Sequence, residues 1–389
     1  MLKLLGWLVG VVALGSATSY ALEGGDFVGA LVQIADGVGE GFVALTLGFA
    51  ARPAALGFLV GGILLLALGS FTPVSFEVES LTVVSRLANR DWRRMSQIIL
   101  LAGVLGLILG AAGVYTHIVD FVEGTVLAGM LTGVGVILCL VAYDLFRQNM
   151  VVGGVSVIVA IVTFLPLADN TNGLVYALGA SVGAALVAAF LQSRVRPVEP
   201  LEVDLSKERI RLIPLDRFRF LTNAIVIRGA LALLALRVGT SIAYSTINGD
   251  IAGAPEEVDP DETNIIAGAS GAVSALFGGP PLEPIISGTA PAPNPITAGA
   301  LMMFLMAAIL VFGLLPRLAT QIPVSTISGF LFLLGAFAAF SGNVGGVVSD
   351  ENPYAGPVTV VVTAATFDPF LGMVAGVIVR ALTGWLLPT

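Results

Sequence analysis

Within the apolar run from Gly268 to Ala290, the consecutive residues Gly278, Gly279, Pro280 and Pro281 forbid a continuous helix, and a carboxylate, Glu283, stands just beyond them. Each proline removes a backbone donor and crowds the preceding turn. In lipid the freed backbone groups need other partners, so a break of this kind survives only inside protein or beside a wet cavity. The rest of the chain must therefore wrap around this segment.

The composition agrees. Hydrophobic residues make up 57% of the chain and charged residues 11%, against about 25% charged in soluble domains. The chain reads as an all-α polytopic protein, multi-pass in the cell membrane, with the lipid bilayer as its first partner. Apolar segments of spanning length occur near 4–22, 27–50, 54–73, 95–116, 118–146, 149–168, 171–193, 221–247, 298–316, 324–342 and 369–387. Shorter or interrupted ones lie at 74–88, 263–278, 279–293 and 355–367. The segment 4–22 is read as a first span because many others follow it, unlike a cleavable signal. The polar interval divides the chain into a first transmembrane half at 1–193, a linker at 194–219 and a second half at 220–389. Two halves, each with a short proline-broken segment, form the pattern of an internal repeat.

Loop charge locates the partner of the break. Lys3, Arg52, the group Arg86, Arg90, Arg93 and Arg94, then Arg147 and the linker are the basic loops, and the positive-inside rule places them in the cytoplasm. Between Arg52 and Arg86 only 54–73 is an obvious helix, so 74–88 must also cross. It reaches about 30 Å if roughly five residues are extended at roughly 3.3 Å and about ten are helical at roughly 1.5 Å. Pro73 to Ser80 alternates apolar and polar residues, as an extended piece does. The same rule puts the acidic loop 250–262 and Asp350–Glu351 outside and Arg317 inside.

A charge at mid-membrane costs about 2.5 kcal/mol or more and points to function. Four positions qualify: Glu283 after the break, Glu77 and Glu79 in 74–88, and Arg237 just before Gly239, Thr240 and Ser241. Extended backbone and a half-helix terminus there could hold a ligand. Alternatively, Glu283 and Arg237 form a buried ion pair without one. Glu77 and Glu79 share a face only if the segment is extended. Glu23, Asp26, Asp36 and Glu40 read as loop or cavity-lining groups, and His117 with Asp120 as interfacial residues. One cysteine, Cys139, and one histidine exclude a Cys/His metal cluster, so no cofactor is expected. The net charge of −8 offers no surface for nucleic acid. No phosphate-binding loop, nucleophile elbow or His-Glu-x-x-His motif occurs.

Ala275-Leu276-Phe277-Gly278-Gly279-Pro280-Pro281, followed by Ser287-Gly288-Thr289-Ala290, resembles the Gly-Leu-Phe-Gly-Gly-Pro-Pro segment of the nucleobase–cation symporters, the uracil/xanthine permeases. So do Gly313-Leu314-Leu315-Pro316-Arg317 with Ile322-Pro323 and Ser328-Gly329-Phe330-Leu331, and the span from Val238 to Ile247. Pro73-Val74-Ser75-Phe76 and 124–135 are similar more faintly, and the likeness covers about 235–345. The resemblance implies two inverted repeats of about seven spans, two broken (extended plus half-helix) segments, and core and gate domains, a fold shared with the sulfate permeases. It implies proton- or sodium-coupled uptake of a small-molecule substrate such as uracil or xanthine, no enzymatic activity, and a homodimer as assembly. Two family carboxylates are missing: Leu236–Arg237 and Ser287 stand where those permeases carry Glu. Arg237 makes a sulfate-like or carboxylate anion the alternative substrate, and a non-transporting scaffold is a third reading. The family pattern also starts the second repeat outside, whereas loop charge starts it inside. The expected substrate residues are Ser75, Phe76, Glu77, Glu79, Arg237, Thr240, Ser241, Gly279, Pro281, Glu283 and Ser287.

Overall fold

The computed structural model describes residues 22–122, 124–168, 170, 173–195, 210, 212–213, 223–319, 323–348 and 353–386. All but the last residue of the first apolar segment at 4–22, most of the linker and Asp350–Glu351 lie outside the described residues.

Apolar runs of 15 to 29 residues form long helices because every backbone bond is then made within the segment. The first half comprises α1 (Gly24–Thr46), α2 (Ala54–Leu68), β1 (Val74–Ser75), α3 (Val78–Leu87), α4 (Trp92–Ala111), α5 (Val114–Phe121), α6 (Gly124–Gln148), α7 (Met150–Phe164) and α8 (Gly173–Val195). The second comprises α9 (Ala224–Ala252), α10 (Pro260–Leu276), β2 (Glu283–Pro284), α11 (Pro295–Val311), α12 (Leu315–Ala319), α13 (Ser328–Leu333), α14 (Ser341–Asn343), α15 (Ala355–Thr366) and α16 (Pro369–Leu386). A π-helical stretch, Leu334–Phe340, joins α13 to α14. Among the described residues seven helical stretches are long and apolar enough to cross a membrane unaided. The fold is all-α and polytopic.

The packing repeats. Helix α4 lies on α10 as α11 lies on α2; α1 meets α11 as α9 meets α4; α7–α8 matches α15–α16. The α6–α15 contact matches α13–α7, and α1–α8 matches α9–α16. These equivalences relate α1 to α9, α2 to α10, β1 to β2 and α4 to α11, with α2–α10 and β1–β2 crossing on the pseudo-axis. Close crossing at α4–α10 depends on Gly103 and Gly268: a Cβ on either would come within 2.8 Å of the other's carbonyl oxygen. Small residues serve this role where helices associate in lipid.

Two apolar cores result. One is built from α1–α4 and α9–α11, including Phe58, Leu65, Phe76, Ile98, Met302 and Met306. The other, including Met130, Val134, Leu178, Phe330 and Leu334, is built from α6, α8, α13 and the π-helical stretch. Helices α1 and α9 send residues to both, Ala30 and Val226 to the first, Val32 and Ile242 to the second. These are the core and gate bodies, and the boundary between them runs along α1 and α9.

The two breaks are built differently. The first is extended through Glu77 (φ −141°, ψ 123°) and then helical, so 74–88 is built as strand plus half-helix. The second opens where Gly278, at φ 86°, ends α10, and its amide returns to Ala275 O at 2.9 Å. After β2 no half-helix forms; residues 287–294 run in turns, with Ala290 N to Ser287 O and Ala292 N to Thr289 O both at 3.1 Å. Pro291, Pro293 and Pro295 alternate through this stretch, and each deletes a helical donor.

With α1 as the first described crossing, hairpin alternation places Arg52, Arg86, Arg93, Arg94, Arg147, Arg194 and Arg317 on one face. The acidic turn at Glu256–Asp259 falls on the other, together with Arg380, whose guanidinium reaches Phe121 O at 3.4 Å. The positive-inside rule predicts that the basic face is cytoplasmic, which would start the second repeat inside, whereas the family pattern starts it outside. In a Cys139→Ala background, Arg93→Cys is expected to react with an impermeant maleimide only from the cytoplasmic side, and Glu257→Cys only from outside. The reverse labelling would show that the family orientation holds.

Candidate functional site

The two breaks meet inside the core body. Strands β1 and β2 pair antiparallel, Val74 opposite Pro284 and Ser75 opposite Glu283, and Ile285 N donates to Pro73 O at 3.3 Å. Each strand is a partial remedy for the other's missing helical bonds, as the bilayer requires.

Glu283 and Arg237 spend their charges on one another. The Arg237 Nε donates to Glu283 Oε2 at 2.7 Å and Nη2 to Oε1 at 2.5 Å, while Nη1 donates to Ala102 O at 3.2 Å. The two side chains are 0% and 1% exposed. Gly106 leaves the guanidinium its room, since a Cβ there would lie 2.8 Å from Nη1. The fork-to-carboxylate geometry is the strong form of this contact, and it ties β2 to α9 and α4. Of the two alternatives open in the sequence, the geometry is that of the ion pair.

Two buried amides hold the backbone after β2. Asn248 on α9 donates through Nδ2 to Ile285 O at 2.9 Å and to Thr72 Oγ1 at 3.2 Å, and its Oδ1 accepts from Ser287 N at 2.9 Å. Gln33 on α1 accepts from Gly288 N at 2.8 Å and donates to Asp36 Oδ2 at 2.7 Å. Further along, Asp26 accepts from Asn294 N at 2.7 Å and from its Nδ2 at 3.0 Å. The donors that a half-helix would aim at a ligand are thus taken up by side chains of α1 and α9.

A carboxylate cluster lies on the other side of the strand pair. Asp36 and Glu40 on α1 act electrostatically on one another and on Glu79, and Glu77, Glu79 and Glu40 act on the Tyr244 phenol of α9. Glu77 and Asp36 are buried, while Glu40, Glu79 and Tyr244 keep some exposure. Glu77 Oε2 accepts from Ser80 Oγ, but Glu77 Oε1, Ser75 Oγ and Ser241 Oγ are buried without a hydrogen-bond partner. Among the described residues no three His, Cys, Asp or Glu side chains are placed to hold a metal ion. The arrangement suits a proton, a monovalent ion or a hydrogen-bonding solute.

The expected residues separate accordingly. Ser75, Glu77, Glu79 and Ser241 surround the strand crossing. Phe76 turns into the core, edge-on to Phe58 at 5.3 Å and against Gly41. Thr240 bonds back to Arg237 O at 3.3 Å, and Ser287 Oγ pairs with Thr289 Oγ1 at 2.7 Å. Gly279 packs on Ser274 and Ala54, and with buried Pro281 belongs to the α10 end of the break, where Ser274 Oγ caps Pro280 O at 2.6 Å. Asp36 and Glu40, set aside as loop or lining groups, belong to the cluster. The overlooked signal was their spacing: Gln33, Asp36 and Glu40 fall on one face of an apolar helix.

No family model matches the sequence, and no curated protein sequence matches it. Solved structures do. The transmembrane domain of BicA, a bicarbonate transporter of a cyanobacterium, aligns with a TM-score of 0.54 at 16% identity, over 91% of this chain and 97% of that one. SLC26A9 aligns at 0.51 and 14% identity, over 92% of this chain and 64% of that one. The chain thus spans nearly all of the first and under two thirds of the second. The likeness is one of fold, and it agrees with an all-α, multi-pass membrane protein. It gives no support for placing the chain within the nucleobase permeases.

Removing one partner of a buried ion pair leaves an uncompensated charge and costs about 3–5 kcal/mol, whereas an apolar replacement of both is often tolerated. Glu283→Gln is therefore expected to lower the melting temperature of the purified chain markedly, and the double variant Arg237→Met, Glu283→Leu to recover most of the loss. A single variant that melts like the parent would remove the pair from the fold's supports.

Proposed function

We propose that the chain is a secondary-active transporter that moves a small anion together with a proton or a sodium ion. The observation that carries this reading is the meeting of the two broken spans as a strand pair inside the bundle, beside buried carboxylates and three unpartnered buried oxygens. Irregular backbone at membrane depth belongs to substrate and ion pathways, and an enzyme would need a reactive cluster that the site lacks. The fold neighbour described as a bicarbonate transporter supports a small anion as cargo.

The electrostatics support the coupling. Arg237 is neutralised by Glu283 and attracts an approaching anion only weakly. The cluster of Asp36, Glu40, Glu77 and Glu79 repels one until a cation or proton joins it. An anion therefore enters with its counter-charge, Glu77 Oε1 being the first acceptor for that charge and Ser75 and Ser241 the neutral contacts of the cargo. Net charge in the low-dielectric site stays small, which lowers the cost of moving it.

A second reading keeps a nucleobase such as uracil or xanthine as cargo, favoured by the same Glu77 Oε1, which can accept a hydrogen bond from a ring N–H. Proteoliposome uptake of labelled bicarbonate, sulfate and formate, against uracil and xanthine, decides between them. An inward proton or sodium gradient is expected to drive accumulation of one anion, and Glu77→Gln to reduce it about tenfold or more, a change of 1.4 kcal/mol or above. Accumulation of uracil or xanthine alone would establish the second reading; no gradient-driven uptake of any of these solutes would overturn both.

A further inference from the structure

The carboxylate cluster and the segment after β2 are joined by one side chain. Gln33, 0% exposed, has both ends of its amide engaged, Nε2 donating to Asp36 Oδ2 at 2.7 Å and Oε1 accepting from Gly288 N at 2.8 Å. The orientation of the amide follows from its partners: Gly288 N–H can only donate, so the oxygen must face it, and the nitrogen is left for the carboxylate. We propose that Gln33 is a positioning residue that relays the charge state of Asp36 to Gly288, so that ion uptake at the carboxylate cluster releases or recaptures the backbone of the second break.

The chemistry is a change of hydrogen-bond sense. An ionised Asp36 only accepts, and Nε2 is its natural donor. When a proton binds Asp36 Oδ2, that oxygen becomes a donor and needs an acceptor. The nearest amide acceptor is Gln33 Oε1, which Gly288 N–H already occupies. Since Oε1 faces Gly288 and Nε2 faces Asp36, the new O–H finds its acceptor when the amide turns over, and Nε2 then faces the Gly288 N–H, which loses its partner. A buried donor without an acceptor is costly enough to move a short turn segment. A monovalent cation at Asp36 acts the same way, since it repels Nε2 and draws Oε1 round as a ligand.

The surroundings leave Asp36 open to such a change. Glu79 on α3, Glu40 one turn along α1, Glu77 at the α3 cap and Tyr244 on α9 surround the cluster, and the Arg237–Glu283 pair stands behind Glu77. Helix α11 carries no ionisable residue, α8 has Tyr176 and Arg194 near its two ends, and α12 offers Arg317 toward the basic face. The segment itself can respond. Residues 287–294 are turns and not helix, and Gly288 packs toward Phe330 of the gate body. Its far end stays fixed to α1 through Asp26 and Asn294.

The relay rests on the proposed coupling site, and hydrogen exchange of the full chain in lipid nanodiscs reads it without any transported solute. After correction for intrinsic rates, amides of 286–290 are expected to change protection several-fold between roughly pH 5 and pH 8, while those of 73–76 do not. Asp36→Asn is expected to hold 286–290 in one state at both pH values. Gln33→Met, close in length and without hydrogen bonds, is expected to abolish the pH response and to lower the melting temperature, since it leaves the Gly288 N–H without its acceptor. A response that persists in Gln33→Met, or is absent from the parent, overturns the relay. Should Gln33→Met fail to fold, Asp36→Asn decides: protection at 286–290 identical to the parent at both pH values overturns it equally. If the exchange result holds while no anion is accumulated by proteoliposomes, the relay stands and the proposed cargo falls.

Discussion

Every buried backbone donor and acceptor in a bilayer must find a partner inside the protein, and two interrupted spans make that requirement acute here. Their solution organises the molecule. Strands β1 and β2 answer one another, Asn248 and Gln33 take the carbonyl and amides that follow β2, and Arg237 with Glu283 pins β2 to α9 and α4. Apart from Glu283, which β2 itself carries, each of these side chains comes from a long helix next to the break. The break is thus a rigid, side-chain-supported core feature with few backbone groups left over.

That economy shapes what the site can do. In the first break the carboxylates Glu77 and Glu79 sit at the start of α3, where the helix dipole favours negative charge. In the second the proline-rich turns leave no helix terminus, and the amides at Ser287 and Gly288 are already engaged. A bare anion therefore finds little free positive potential at the crossing. The buried arginine that first suggested anion binding is part of the scaffold. This arrangement is the physical basis of the proposed charge compensation by a cation or proton.

The division into two bodies adds a mechanical element. Helices α1 and α9 are pseudo-equivalent, each contributes to both apolar cores, and each holds the segment after β2 by one amide side chain. Gln33, Asp36 and Glu40 share one face of α1, so the carboxylate cluster lies along the boundary between the bodies. The close glycine crossings within each body keep those parts stiff.

The sequence by itself determined the membrane class, the helical architecture and both breaks, because bilayer thickness and hydrogen-bond satisfaction translate directly into run length and proline position. Even the interrupted segment at 74–88 was legible, from the spacing of arginine-bearing loops alone. Only the tertiary structure decided the pairing of Ser75 with Glu283, the engagement of Arg237 and the inclusion of Asp36 and Glu40 in the cluster. Those depend on which helices cross at the pseudo-axis. A long-range contact between residues 283 and 237, or 33 and 288, leaves no periodic trace along the chain; it exists only once the repeats have packed.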